Sequence, residues 1–456
     1  MKRTRRRSYS VFIFALLFII GMFVFIFRWF SDGRSWANMP YNGHYAATGI
    51  ADGGTITDCY GELLAYSSDG ERVYNGREDV RKATLHMVGD TSTNISTSIQ
   101  SIYRSSISGY NILFGASSFG KLLSNTNMQL TIDSAACATA YNALSGRNGA
   151  VVVYNYKTGE LLCSVSTPTY DPASPPEISS DDTSYDGVYL DKTLSGLYPP
   201  GSTFKIVTLC AALENIPDVE DMTFYCNGST DIDGHKVTCM DSHGELTLKE
   251  AFSHSCNIAF AELSCKLGKE TLEKYADSLG ITTSYKVNGN PTAKGNFDLD
   301  KAIKAEVAWA GIGQYTDEVC PMNMAILSAG VARGGSTIIP HTVKNTSLID
   351  LSAVMSSKSL IKPSTAAKIK DMMRSTVSDY YGDWSFPSLT VCAKTGTAET
   401  GNNDEAHGWI TGFTLDDDCP LAFACVVENG GLGFYSAGNV VSQTLETIAE
   451  NMRNGN

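Results

Sequence analysis

The chain is expected to fold as an α+β protein in which helices cover an antiparallel sheet. A small mixed region and an N-terminal transmembrane helix precede it. Three observations predict this. Residues 11–27 are an unbroken apolar run, two β-branched runs follow Gly149, and three more precede one last helix. Two strands before a helical block and three after it make a sheet that helices must cover. A length of 456 residues allows roughly two to four domains, one with a full core. Hydrophobic residues at 43% and charged residues at 18% are ordinary for a globular protein and exclude a disordered chain.

Val11 to Phe27, edged by Tyr9, Trp29 and Phe30, is long enough to cross a bilayer with aromatic residues at headgroup level. Lys2, Arg3, Arg5, Arg6 and Arg7 precede it. The positive-inside bias therefore makes residues 1–8 a cytoplasmic tail and residues 9–30 a single-pass anchor, with everything after it extracytoplasmic. A cleaved signal peptide is the competing reading, with Ser35-Trp36-Ala37 as its cleavage site. The apolar run is longer than a signal core, and Arg28 and Trp29 separate it from that tripeptide, so a retained anchor is expected. No second apolar stretch approaches this length.

A net charge of −13 speaks against nucleic acid or anionic lipid as the ligand. A local basic site for a carboxylate remains compatible with it. Twelve cysteines in an exported domain ordinarily suggest disulfides. Cys163, Cys210, Cys265 and Cys425 stand singly in apolar runs, as small buried hydrophobes do. Cys226 and Cys239 flank the Asn227-Gly228 and Asp233-Gly234 turn signals and are placed to close a hairpin; the sequence leaves that bridge open. So many unpaired thiols outside the membrane would suit an anaerobic or weakly oxidising setting.

Residues 31–145 read as a small mixed pedestal region. Gly54 to Asp58 and Gly61 to Ala65 look like two short strands around a turn. Residues 90–127, rich in Ser, Gly and Asn, suggest irregular packing. Met128 to Ile132 reads as a strand, and Asp133 as the cap of a helix through Leu144. From residue 146 the pattern sharpens into the main domain, which runs to residue 456. Ala150 to Tyr154 and Glu160 to Val165 form a hairpin around Asn155 to Gly159. A Pro-, Ser- and Asp-rich loop spans 171–187. Pro199-Pro200-Gly201 breaks the chain before an apolar helix through Leu213, and Thr247 to Glu250 has capping-box spacing. Thr390 to Ala393, Gly408 to Thr414 and Leu421 to Val427 read as strands, and Val440 to Met452 as the closing helix.

Ser202-x-x-Lys205, Ser255-x-Asn257 and Lys394-Thr395-Gly396 stand in order along this frame. They supply a nucleophile, two amines, a second hydroxyl and an amide, the kit for acyl transfer through a serine ester. None is specific alone. Ser118-x-x-Lys121 and Ser359-x-x-Lys362 match the first pattern, Ser92-x-Asn94 the second, and Lys157-Thr158-Gly159 the third. Context separates them. Ser202 opens a helix whose aliphatic run marks it as buried, and Lys205 shares its face. A serine hydroxyl needs a neighbouring base, and a lysine serves only when its pKa falls. Burial, the helix N-terminus and a second cation, Lys394, all push it down. Ser255 can relay a proton and Asn257 can hold a peptide-like substrate. Lys394 belongs to a strand, where Gly396 allows close backbone approach and Thr395 and Thr397 join the lysine in binding a carboxylate. The N–H groups of Ser202 and Thr397 would form an oxyanion hole. Lys157 sits in a turn, where a solvated lysine is the default, and Pro363 follows Lys362 at once.

This motif set resembles those of class A β-lactamases and penicillin-binding proteins. Tyr198-Pro199-Pro200-Gly201-Ser202-Thr203-Phe204-Lys205, Ser166-Thr167-Pro168-Thr169-Tyr170-Asp171-Pro172, Gly311-Ile312-Gly313-Gln314 and His407-Gly408-Trp409 narrow the resemblance. They are similar to those of a class B penicillin-binding protein, a monofunctional peptidoglycan D,D-transpeptidase. The likeness runs from about residue 128 to the end and weakens near Gly54 to Ala65. There the family pattern has arginines where this chain has Gly53 and Cys59. The resemblance implies a penicillin-binding/serine β-lactamase-like fold and a two-step reaction. Ser202 attacks the penultimate D-Ala carbonyl of a stem peptide, and an amine from a neighbouring stem resolves the ester. It also implies β-lactams acylating the same serine, and a polytopic membrane glycan polymerase as partner, since residues 31–145 are too few for a glycan-polymerising module.

Three rivals remain at this stage: a β-lactam-hydrolysing or β-lactam-sensing protein, a D,D-carboxypeptidase and an inactive scaffold. A class A hydrolase needs a carboxylate to activate water, and residues 281–296 carry no Asp or Glu. Class D enzymes and their sensor relatives have an apolar residue where Asn257 stands. No metal cluster or nucleotide motif is evident, so no metal and no cofactor are expected.

Overall fold

The computed structural model describes residues 2–37, 53–108, 126–179, 181–344, 357–399 and 405–455. A single helix, Lys2–Ala37, opens the chain. Its apolar part, Arg7–Trp29, is 23 residues long with mean hydropathy 3.0. At 1.5 Å per residue that is about 35 Å, enough for a hydrocarbon layer of about 30 Å. The side chains from Val11 to Phe27 are exposed, as a lipid-facing helix requires. Ser35-Trp36-Ala37 continues this helix.

Ahead of the main sheet lies a four-stranded sheet in the order Glu71–Tyr74, Leu63–Ser68, Ile56–Thr57, Met128–Gln129. The expected turn between the first two strands forms because Asp58 Oδ1 accepts the N–H groups of Tyr60 and Glu62, at 2.9 and 2.8 Å. The strand expected over Met128 to Ile132 stops at Gln129, since Leu130 turns to bridge Val343. The Gly53 carbonyl accepts from the Arg72 guanidinium at 3.1 Å. Within the irregular stretch lie two short helices, Ile99–Ile102 and Arg104–Ile107. Ser118 and Lys121 fall outside the described residues. Arg81 ties this region to the next through a two-pronged pair with Asp171, at 2.7 and 2.6 Å.

The main domain is organised by five antiparallel strands. They are β1 (Gly149–Asn155), β2 (Leu161–Thr167), β3 (Val391–Ala398), β4 (His407–Thr414) and β5 (Leu421–Val427). The spatial order is β3-β4-β5-β1-β2. Every residue of β1, β2 and β5 is buried, which explains their continuous apolar runs. Successive side chains on a strand point to opposite faces, and β4 shows what covers each. Thr411 meets Ser328 and Met324 of the helix Pro321–Ala332, while Ile410 lies beside Gly438 of the closing helix Ala437–Asn454. The first of these helices is buried from Pro321 to Val331, so Leu327→Ala should cost about 2–5 kcal/mol.

The predicted caps form. Asp133 accepts the Ala136 N–H at 3.0 Å and opens Ser134–Leu144, which packs against the closing helix. Thr247 and Glu250 make the full capping box of Leu248–Ser253. Asp233 and Gly234, at φ 52° and 86°, turn a hairpin of Ser229–Ile232 with His235–Thr238. All twelve cysteines are free thiols, so no Cys226–Cys239 bridge closes this hairpin.

Candidate active site

Three chain segments converge at the edge strand β3. Gly201–Phe204 makes one tight turn that runs into the helix Lys205–Asn215. Gly201 has φ 53°, and a Cβ there would stand 2.7 Å from the Thr397 carbonyl oxygen. The next strand presses from the other side, where the Trp409 indole N–H donates to the Pro199 carbonyl at 2.9 Å. On β3, Gly396 pairs with Trp409 and Lys394 with Thr411, so the two share one face of the sheet, and Gly396 lies against the nucleophile turn. A Cβ on Gly396 would lie 2.7 Å from the Pro200 oxygen, which explains why the approach needs glycine. This contact also sets the segments carrying the Ser202 and Thr397 N–H groups side by side.

Lys205 is fully buried, and four oxygens surround its Nζ. They are Ser202 Oγ at 3.0 Å, the Ser255 carbonyl at 2.5 Å, Ser255 Oγ at 3.1 Å and Asn257 Oδ1 at 2.7 Å. An ammonium offers three N–H donors and a neutral amine two donors and one lone pair, so in either state one of the four contacts is shared. Burial pushes the Lys205 pKa down to about 7, while Cys239 and Cys256 pull it the other way. Lys394 is equally buried and reaches Ser255 Oγ at 3.0 Å and the Thr395 carbonyl at 3.0 Å. Burial first, then the charge of Lys205, holds Lys394 well below the ordinary lysine range. Burial, one of the causes expected from the sequence, comes first for both lysines, and the like charge of the two amines opposes their being protonated together. Ser255 Oγ thus bridges the two amines. Its residue has φ 57°, a left-handed conformation that a serine adopts only when its surroundings enforce it.

The structure brings Ser202, Lys205, Ser255, Asn257 and Lys394 into one hydrogen-bonded group, with Thr395, Gly396 and Thr397 along its rim. Two features escaped the sequence reading. Tyr381, buried in the turn Thr376–Tyr381, reaches Thr395 Oγ1 at 2.6 Å and accepts the Thr395 N–H at 3.1 Å. Nothing in the sequence marked it. Cys226, Cys239, His243 and Cys256 gather behind Asn257, where no metal-binding cluster was expected. Their Cys-x12-Cys-x3-His-x12-Cys spacing was the available signal. The look-alikes stay apart: Lys157 pairs with Asp417 at 2.7 Å, Lys362 with Glu214 at 2.8 Å, and Asn94 bonds Asp90 at 3.0 Å.

Residues 149–450 match the family model described as penicillin binding protein transpeptidase domain. The chain belongs to that family, as a class B penicillin-binding protein. It is 26% identical over 440 residues to the peptidoglycan D,D-transpeptidase PbpA of Mycolicibacterium smegmatis, covering 87% of this chain and 88% of that one. Stage V sporulation protein D of Bacillus subtilis is 30% identical over 349 residues, covering 71% of this chain and 52% of its own length. Among solved structures, the imipenem acyl-enzyme of penicillin-binding protein A from M. tuberculosis superposes with TM-score 0.73 at 25% identity. The match spans 88% of this chain and 99% of that one. Among the described residues, no carboxylate is hydrogen-bonded to Ser202, Lys205 or Ser255 in this penicillin-binding protein.

Proposed function

We propose that this protein cross-links peptidoglycan as a serine D,D-transpeptidase, with Ser202 as nucleophile and Lys205 as its base. The observation that carries this reading is the 3.0 Å contact from Lys205 Nζ to Ser202 Oγ, made by an amine titrating near neutrality. Neutral Lys205 takes the hydroxyl proton as Oγ attacks the penultimate D-Ala carbonyl of a stem peptide. The Ser202 and Thr397 N–H groups stabilise the resulting oxyanion. The proton passes through Ser255 to the departing D-Ala amine, and Ser202 keeps the acyl group. A second stem's amine then attacks the ester, gives up its proton along the same relay and frees the serine. Lys394, Thr395, Gly396 and Thr397 bind the terminal carboxylate, and Asn257 holds the peptide backbone. A β-lactam enters the first step and stays, as in the acyl-enzyme of the M. tuberculosis relative.

Residues 31–145 form the pedestal and 146–456 the transpeptidase domain in this reading. The apolar helix is a single-pass anchor with the N-terminus cytoplasmic, and it meets a polytopic glycan polymerase within the bilayer. Mass spectrometry of the penicillin-treated protein tests the central claim. An adduct on Ser202 that persists for many minutes supports it; no adduct, one elsewhere, or one quickly cleared overturns it. Incubation with stem peptide and an acceptor amine then separates transpeptidation from carboxypeptidation by whether a cross-linked product or only free D-Ala accumulates.

A further inference from the structure

Directly behind the Ser255–Asn257 segment lies a set of side chains that the proposed reaction never uses. Cys226 ends the strand Thr223–Cys226, and Cys239 follows the hairpin strand His235–Thr238. His243 precedes the strand Gly244–Thr247, and Cys256 caps the helix Asn257–Leu267. Their three sulfurs and one ring nitrogen all lie within 4.8 Å of one another. A tetrahedral ion with zinc's bond lengths to sulfur and nitrogen sets its ligands about 3.5–3.8 Å apart. Cys239 Sγ and His243 Nδ1 already stand 3.6 Å apart. Among the described residues no other Cys/His group gathers like this. Cys226 and Cys256 are buried while Cys239 and His243 are half-buried, so the pocket is sheltered yet reachable.

We propose that this protein binds one zinc ion through Cys226, Cys239, His243 and Cys256, as a clamp on the Ser255-Cys256-Asn257 segment. The donor set decides the metal: three thiolates and an imidazole suit a borderline-soft ion, and magnesium or calcium would take oxygen ligands. On binding, the aqueous ion sheds its waters and three thiol protons pass to solvent, with no change of oxidation state. The Cys226 thiol gives up its present bond to the Asp241 carbonyl, at 3.4 Å. Four protein ligands close the tetrahedron, so the ion has no open position and takes no part in acyl transfer. Its work is mechanical. Cys256 lies between Ser255 and Asn257, and Cys239 already accepts the Asn257 N–H at 3.3 Å while Asn257 Nδ2 holds the Thr238 carbonyl at 3.0 Å. Fixing Cys256 to the hairpin holds Ser255 at its strained φ of 57° and Asn257 against Lys205.

The binding claim stands alone; the clamp claim rests on the transpeptidase reading. Elemental analysis of the full chain, purified in detergent under reducing conditions, should find about one zinc per chain. Cobalt(II) in its place should give thiolate charge-transfer bands. Cys256→Ser and His243→Ala should each weaken zinc binding about tenfold or more, and Cys265→Ser should leave it unchanged. Zinc absent from protein with all three cysteines reduced, or a disulfide among them in the reduced preparation, overturns the site. Chelation should slow penicillin acylation about tenfold, with recovery on adding zinc; acylation indifferent to zinc overturns the clamp. Ser202→Ala should keep its zinc and lose all labelling. Unaltered, zinc-loaded protein that fails to label refutes the transpeptidase reading and leaves the metal site standing.

Discussion

Lys157-Thr158-Gly159 and Lys394-Thr395-Gly396 spell one tripeptide in two regions of the molecule. The first closes the β1–β2 hairpin. Its lysine side chain is 45% exposed and pairs with Asp417, which lies wholly in water. The second lies within β3, its lysine fully buried and bonded to Ser255 Oγ. Gly159 takes φ 86° to turn the chain, whereas Gly396 lies in an extended strand and clears space for Pro200. Identical covalent chemistry therefore yields a solvated surface pair in one place and a perturbed amine in the other. What differs is desolvation: water screens the first lysine, and a protein interior strips the second of its hydration.

The largest contrast should come from alanine at each lysine. Lys394→Ala should slow penicillin acylation by about 10²–10⁴-fold, by analogy with loss of proton-transfer groups. Lys157→Ala should leave it within error in the same stopped-flow measurement, and equal losses would break the comparison. Glycine substitution sharpens it. Gly396→Ala drives a Cβ to 2.7 Å from the Pro200 oxygen and should cost about 10²-fold in acylation by displacing the nucleophile turn. Gly159→Ala should instead cost about 1–3 kcal/mol of stability, read from denaturant melts, through its left-handed φ and a Cβ 2.8 Å from Ile338, while acylation stays unchanged.

The pH dependence follows from Lys205. A base must be neutral to accept a proton, so acylation should rise about tenfold per pH unit up to about 7 and then level. A flat profile between pH 5 and 8 would remove Lys205 from the role. The same shift has a stability consequence. Lys205 titrates near 7 in the fold against an ordinary 10.5, so the unfolded chain binds more protons between those values. Stability gained from this residue therefore rises with pH across that window, and below 7 the fold carries the full penalty. Lys205→Met should raise Tm at pH 6 by a few degrees, with the gap narrowing toward pH 10. The smallest effect belongs to the surface. Asp417→Asn should leave both Tm and acylation unchanged, because Asp417 is fully solvated.

Much of the frame was legible. All five sheet strands were expected within a few residues, because strands buried on both faces must be apolar throughout. The cap at Asp133, the box at Thr247 and the turn at Asp233-Gly234 carry local hydrogen-bond or backbone signals that need no tertiary partner. Tyr381 was illegible for the opposite reason. Its bond to Thr395 joins residues 14 apart along a path set by an irregular turn. The cysteines were half-read: Cys226 and Cys239 were noticed as a pair, but His243 and Cys256 join them only when the hairpin folds onto the following helix.

By itself the sequence determined which residue types recur at which spacings: the apolar N-terminal run, the apolar strands, and the order of hydroxyls, amines and amide. Local sterics and hydration set those features, and neither needs distant contacts. Tertiary structure alone decided which Lys-Thr-Gly is buried, that Ser255 stands between two amines, and that three cysteines and a histidine meet behind it. Burial and charge coupling act through space, and only the folded chain brings these segments within a few ångströms of one another.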